Sequence, residues 1–390
     1  MNPNVRYTLI LSFVAFVALL GSSLISPILP FYALAFGVSL TLVGALVSSF
    51  GLASVILDIP SGYLFDRFGA KRLMVSGLFF IFLSALICAF ASNYSMLLFG
   101  RVLSGVGYAI YTVTSFTCMG KIAPNDHRGR YMSFYLGMLL LGSVCGPALG
   151  GLIGESFGLR MPFIVYGVSS LLSCLLVHFG IGEELITSSK SLLQTNLRSI
   201  TSIFKNYTLV AINLAIFAIF FIRMGVVSTL VPIFASKNLG LSVGMIGGVL
   251  AIAALINFLT MLPVGSLTDR YGRKNFMFAS LFIIGLLTIA IPFAKSTISL
   301  VTIMAGLGFG FGFSGPIMAW VTDTADEGQL GLVMGIFRTM SDLGFIVGPL
   351  ILSVVASSSL DGIGYQPFAL AGFLAIMTSI FILMAKESKK

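Results

Sequence analysis

A segment beginning at Pro60, PSGYLFDRFGAKR, returns 203 positions later as PVGSLTDRYGRK from Pro263. The step pairs Gly62 with Gly265, Asp66 with Asp269, Arg67 with Arg270, Gly69 with Gly272 and Lys71 with Lys274. Each copy follows a long apolar run and precedes another. A charged turn bearing glycines, held at the same place in two apolar halves, predicts a membrane protein built from two parallel repeats.

Further landmarks keep the register. APNDHRGRYM from Ala123 corresponds to ADEGQLGLVM from Ala325, and Gly142, Gly146 and Pro147 correspond to Gly344, Gly348 and Pro349, both at a step of 202. Composition agrees. Only 9% of the 390 residues are charged, against about 25% in soluble domains. Apolar runs of about 20 residues, the length that crosses a bilayer core, recur twelve times: near 5–30, 41–64, 73–91, 94–117, 131–152, 161–182, 207–233, 242–265, 275–294, 299–320, 333–355 and 366–385. They are called spans 1 to 12 below. The fold class expected is an all-α membrane protein in two six-span bundles, residues 1–182 and 207–390, joined by a polar stretch.

With the N-terminus inside, sixteen Lys and Arg residues lie on the inner side and three on the outer side. That asymmetry puts both termini in the cytoplasm. The net charge of +9 then reflects membrane orientation, and no nucleic-acid partner is expected. The linker from Glu183 to Asn206 carries Ile186, Leu193, Leu197 and Ile200 at nearly helical spacing. It reads as a surface-lying amphipathic helix or as a flexible tether. Nothing at the start resembles a cleavable signal peptide, since the first run is too long for one. Cys88, Cys118, Cys145 and Cys174 are scattered through apolar runs and are expected to be buried free thiols.

GYLFDRFGAKR, between spans 2 and 3, resembles the signature loop of the major facilitator superfamily. Gly62 is expected to let two helices approach, and Gly69 to allow the tight turn. The resemblance implies a gating loop made of Gly62, Asp66, Arg67, Gly69, Lys71 and Arg72. Its second copy is Gly265, Asp269, Arg270, Gly272 and Lys274. In it, Asp66 would cap the start of span 11 near Gly331, and Asp269 the start of span 5 near Gly129.

Span 5 carries GSVCGPALGG, in which Gly142, Gly146, Pro147, Gly150 and Gly151 resemble the superfamily's antiporter motif. Small residues at these intervals form a packing groove, and Pro147 removes a backbone donor. The end of span 1, LGSSLISPILP, resembles the pattern of twelve-span drug:proton antiporters. These resemblances imply export of small amphipathic or drug-like molecules by proton antiport and alternating access. A sugar, organic anion or other metabolite moved without protons is the alternative.

Charges inside spans are costly and mark functional candidates. Arg101, in RVLSGVG of span 4, corresponds to an arginine that the resemblance associates with proton coupling; alternatively it snorkels to the outer interface. The superfamily's drug exporters usually carry an acidic residue in span 1 or 4, and this chain has none there. The carboxylates within spans or at their ends are few: Asp58, Asp323 and Asp342. Asp342 is the expected protonatable group, with Arg223 or Arg338 as counter-charge, or else half of a static ion pair. By resemblance, spans 1, 4, 7 and 10 line the substrate cavity, through Phe16, Tyr108, Tyr111, Asn213, Phe217 and Phe309, joined by Asn257 of span 8. Such walls suit amphipathic molecules.

Enzyme chemistry finds no foothold. There are two histidines, no H-E-x-x-H, no G-x-S-x-G and no phosphate-binding G-x-x-x-x-G-K. No cofactor or metal is expected. The expected partners are a small-molecule substrate, the proton and the lipid bilayer. The chain reads as a multi-pass monomer suited to a prokaryotic inner or plasma membrane.

Overall fold

A computed structural model of the chain describes residues 3–122, 128–182, 206–325, 330–357 and 363–387. Among the described residues there is helix and turn and no strand. Twelve helices are long and apolar enough to cross a membrane. In the first half they are Val5–Ile25, Leu40–Asp58, Ala70–Ala89, Tyr94–Ile122, Arg130–Phe157 and Met161–Gly180. In the second half they are Tyr207–Leu239, Val243–Gly265, Arg273–Phe293, Thr297–Thr324, Leu332–Ser357 and Gln366–Met384. At 1.5 Å per residue the shortest, of 19 residues, is about as long as a bilayer core is thick. Large apolar side chains point outward freely, with Ile298 and Phe179 both 79% exposed, as a lipid-facing surface requires.

The described helices pack as two compact units. One comprises Met1–Val38, Ser49–Ser191 and Ser242–Gly248; the other comprises Ser39–Ser48, Leu192–Leu241 and Val249–Lys390. The units therefore trade two short segments relative to a cut through the linker. Both exchanges have a local cause. In the second unit Gly44 lies against the Pro349 carbonyl, and the Ser48 hydroxyl donates to the Ile346 carbonyl at 2.6 Å. In the first unit a side chain on Gly151 would meet the Gly247 Cα at 2.9 Å. Residues 183–205, where the amphipathic linker helix is expected, lie outside the described residues.

Within each unit the same pairing recurs. Span 1 packs on spans 5 and 6, and span 3 on spans 4 and 6. In the second unit span 7 packs on spans 11 and 12, and span 9 on spans 10 and 12. In lipid, association relies on close backbone approach rather than on expelling water, so small residues decide where helices meet. A Cβ on Gly105 would strike the Phe50 carbonyl, and 203 residues later one on Gly308 would strike the Ala253 carbonyl. Gly77 meets the Gly107 carbonyl, and at the same step the Ser280 hydroxyl donates to the Gly310 carbonyl at 2.7 Å. The duplication thus extends from motif to contact.

Three spans are interrupted. Span 1 stops at Ile25, turns through Ser26–Ile28 and resumes as Leu29–Leu34; Pro27 lies in the turn, where a continuing helix would need its missing donor, and Pro30 lies in the first turn of the resumed helix, where none is needed. Beyond that turn the Tyr32 hydroxyl donates to the Cys88 carbonyl at 2.9 Å. Span 10 breaks between Phe313 and Ile317, where Gly315 and Pro316 follow one another. Span 7 changes register: α-helix over Tyr207–Phe221, π-helix over Ile222–Leu230 and α-helix again over Val231–Leu239.

Candidate functional site

The two copies of the signature loop adopt one geometry. Gly69 has φ 79° and ψ 159°, and Gly272 has φ 87° and ψ 156°. This region is open essentially to glycine alone, and each residue starts the next span immediately. The preceding arginines stack on their neighbours: Arg67 lies 5.3 Å from the Phe68 ring centroid, and Arg270 lies 5.4 Å from that of Tyr271. Lys71 is half-buried and Arg72 exposed, in the first turn of the helix that follows. The side chains of Asp66 and Asp269, and those around Gly129 and Gly331, lie outside the described residues.

One expectation for this loop needs correction. Gly62 and Gly265 have no described atom within 4 Å of where a side chain would begin. Both sit on an open helix face, so Gly62 does not make the close helix approach expected of it. The demanding glycines are Gly69 and Gly272.

A carboxylate missed by sequence reading caps the second copy. Glu387 accepts hydrogen bonds from the Arg273 amide at 2.8 Å and from the Lys274 amide at 3.2 Å. Arg273 in turn pairs with Asp323 at the C-terminal end of span 10. In the first unit Glu155 plays the same part for span 8, accepting from the Gly244 amide at 2.8 Å and the Ser242 hydroxyl at 3.1 Å. Both carboxylates meet the positive end of a helix. Neither was legible, because the partners stand 114 and 89 residues apart.

The span 5 string is a packing stripe. Gly142, Gly146 and Gly150 all face span 1, on the carbonyls of Phe16, Leu20 and Leu24 respectively. Pro147 lies inside a helix that continues from Arg128 to Phe157, so the missing donor does not break it. Gly151 turns to the segment Val243–Gly247. In the second unit Gly344 and Gly348 sit on span 7 in the same way, at Phe217 and Phe221.

The charges within spans differ in company. Arg101 is 7% exposed and places its guanidinium 4.7 Å from the Phe50 ring centroid; its Nε has no hydrogen-bond partner. It is not snorkelling: it is buried among the helices of its own unit. Arg223 lies in the π-helical stretch, 4.9 Å from the Phe311 ring centroid. Arg338 and Asp342, one turn apart on span 11, approach to 3.9 Å with side chains 57% and 28% exposed. Asp58 is half-buried at the C-terminal end of span 2.

The aromatic candidates separate into two classes. Phe16, Tyr108 and Phe217 are half-buried, as is Asn257, and Phe309 is 43% exposed with its ring 4.7 Å from that of Phe313. Tyr111 and Asn213 do not line an open wall. Tyr111 is fully buried, with its backbone against Gly77 of span 3. Asn213 is 7% exposed and donates to the Leu209 carbonyl at 2.8 Å within its own helix. Three residues make about 300° of helical rotation, so Tyr111 is offset by about 60° around the helix from Tyr108, on the side that meets Gly77 of span 3. The cysteines are free; Cys88, Cys118 and Cys174 are buried and Cys145 is half-buried.

Comparison with known proteins agrees with this geometry. A family model described as Major Facilitator Superfamily matches residues 11–349 and 212–390. Multidrug resistance protein 2 of Bacillus subtilis (strain 168) is 24% identical over 379 residues, covering 96% of this chain and 94% of that protein. Tetracycline resistance protein, class H, of Pasteurella multocida is 25% identical over 403 residues, covering 98% and 96%. Among solved structures, a peptide transporter in complex with sulfate shares the fold with a TM-score of 0.81 at 14% identity, covering 97% of this chain and 94% of that one. The chain belongs to the major facilitator superfamily, as a multi-pass membrane transporter and not an enzyme.

Proposed function

We propose that this transporter exports small amphipathic molecules in exchange for protons, by alternating access between two six-span bundles at residues 1–182 and 207–390 with both termini in the cytoplasm. The observation that carries the reading is the glycine stripe of span 5. Gly142, Gly146 and Gly150 lock span 5 backbone-to-backbone on span 1. That dry, close seam suits a protein that must carry protons only on a side chain and never along a leak. The names of two relatives, a multidrug and a tetracycline resistance protein, support export of drug-like compounds.

Asp342 is the proposed proton carrier. It lies within a span, keeps 28% of its side chain exposed and has Arg338 at 3.9 Å to bias its charge. Asp66 and Asp269 are the proposed gating carboxylates, and Phe16, Tyr108, Phe217, Asn257 and Phe309 the proposed substrate walls. A single chain with its own pair of bundles needs no partner copy, so the working unit is proposed to be a monomer. The second reading is a metabolite carrier without proton coupling. Its support is the fold, which is shared with a peptide transporter.

Inverted membrane vesicles energised with a proton gradient provide the test, using an anionic, a neutral and a cationic amphipathic dye. The wild type should accumulate at least one dye until an ionophore collapses the gradient, and Asp342→Asn should accumulate none while remaining folded. Accumulation that survives the ionophore would favour the uncoupled carrier.

A further inference from the structure

The geometry points to Arg223 as an anion-binding residue, and from this we infer that the transported molecule is a lipophilic organic anion bearing a carboxylate or sulfonate. The inference rests on the transporter reading above and narrows it.

Arg223 is the seventeenth residue of the 33-residue span Tyr207–Leu239, and so sits at its middle. Substrate sites in such transporters lie near the membrane midplane, at interrupted helices. A guanidinium at that depth is costly and ordinarily pairs with a carboxylate. Here it has none: among the described residues Arg223 makes no ion pair and no hydrogen bond. Its one partner is the Phe311 ring of span 10. A contact with a ring consumes none of the guanidinium's N–H donors by hydrogen bonding, and those donors match a carboxylate or sulfonate in two parallel bonds.

The local backbone is irregular at this point. The π-helix runs from Ile222 to Leu230, and such stretches frequently mark functional sites. Two contacts hold it in place. The Thr229 hydroxyl donates to the Met224 carbonyl five residues back at 2.8 Å, and Gly225 meets the Gly348 backbone of span 11. Span 10 interrupts its own helix just after Phe313, two residues beyond the ring on which Arg223 rests. A midspan cation, an adjoining aromatic surface and two irregular helices make a site for a molecule with an apolar body and a negative end. Arg338 and Asp342 of span 11 approach each other at 3.9 Å.

Three naphthalene probes of matched size provide the test on the purified full-length protein: the sulfonate, the neutral sulfonamide and naphthylmethylammonium. Binding is read as thermal stabilisation and by calorimetry. The wild type should bind the sulfonate tightest. Arg223→Gln should weaken sulfonate binding about tenfold or more, as expected for a lost charge-assisted pair, and leave the sulfonamide unchanged. Arg223→Lys, which keeps the charge and the fold, should retain part of the affinity.

A wild type that prefers the ammonium probe, or that shows no preference for the sulfonate over the sulfonamide, overturns the inference. So does undiminished sulfonate affinity in Arg223→Gln. Should binding follow the predicted pattern while no dye moves under a proton gradient, the anion site stands and the exporter reading falls. Gradient-driven export of cationic dye with no sulfonate affinity gives the opposite outcome.

Discussion

Gly142 of span 5 rests on the main-chain carbonyl of Phe16 in span 1, with no room for a methyl group between them. The contact recurs 202 residues later, where Gly344 rests on the carbonyl of Phe217. The neighbouring amides repeat too: a Cβ on Gly142 would come within 2.9 Å of the Leu20 nitrogen, and one on Gly344 within 3.0 Å of the Phe221 nitrogen. Two helix pairs so alike, each inside its own unit, keep the register of the duplicated sequence.

Because the obstacle at Gly142 is backbone, it cannot move aside as a flexible side chain would. Gly142→Ala should cost about 1–3 kcal/mol, the usual range for overpacking. Gly62→Ala should be neutral or slightly stabilising, by up to about 1 kcal/mol, since open space surrounds it within a helix. Thermal unfolding of the two variants in the same detergent checks the contrast.

Gly69 and Gly272 hold backbone angles that other residues avoid, with φ of 79° and 87°. Gly69→Ala and Gly272→Ala should each cost about 1–3 kcal/mol in strain. A transport assay beside the melting curve should show activity falling with stability in both, because each turn sets the start of a span.

Glu387 seats its carboxylate on the first amides of span 9, the Arg273 contact being 2.8 Å. Glu387→Ala should lose about 0.5–2 kcal/mol, in the range measured for capping side chains. Truncating the chain before Glu387 should give the same loss. Hydrogen exchange at the Arg273 and Lys274 amides should rise in both variants.

The Arg338–Asp342 pair is long and more than half open on the arginine side, so its contribution to stability is about 1 kcal/mol or less. Arg338→Gln should therefore melt within a few degrees of wild type. If Asp342 carries the proton, the same variant should shift the pH at which transport is half-maximal upward, because loss of a nearby positive charge makes a carboxylate hold its proton to higher pH. An unchanged pH profile would make the pair structural.

Most of the architecture was legible because hydrophobic length is local information. All twelve apolar runs are helices, and the step of 203 that pairs Gly69 with Gly272 also carries the Gly105–Phe50 contact onto the Gly308–Ala253 contact. Composition could not rank glycines within one motif: Gly62 and Gly69 are the same letter, but only Gly69 needs its conformational freedom. Nor could it separate Tyr108 from Tyr111, whose difference is the face of a helix on which each falls. The π-helix at Arg223 was out of reach as well. An i to i+5 register leaves no signature in residue type, and the Phe311 ring it serves lies 88 residues away.

Proton exchange is tested most directly in sealed proteoliposomes containing the purified protein and a trapped pH indicator. They are loaded with naphthalene sulfonate or, in parallel, ethidium, then diluted into solute-free buffer without any imposed pH gradient. Outward flow of the transported solute should acidify the lumen as protons enter in exchange, and Asp342→Asn should abolish that change. A solute that leaves through the protein while the internal pH stays constant would contradict the account.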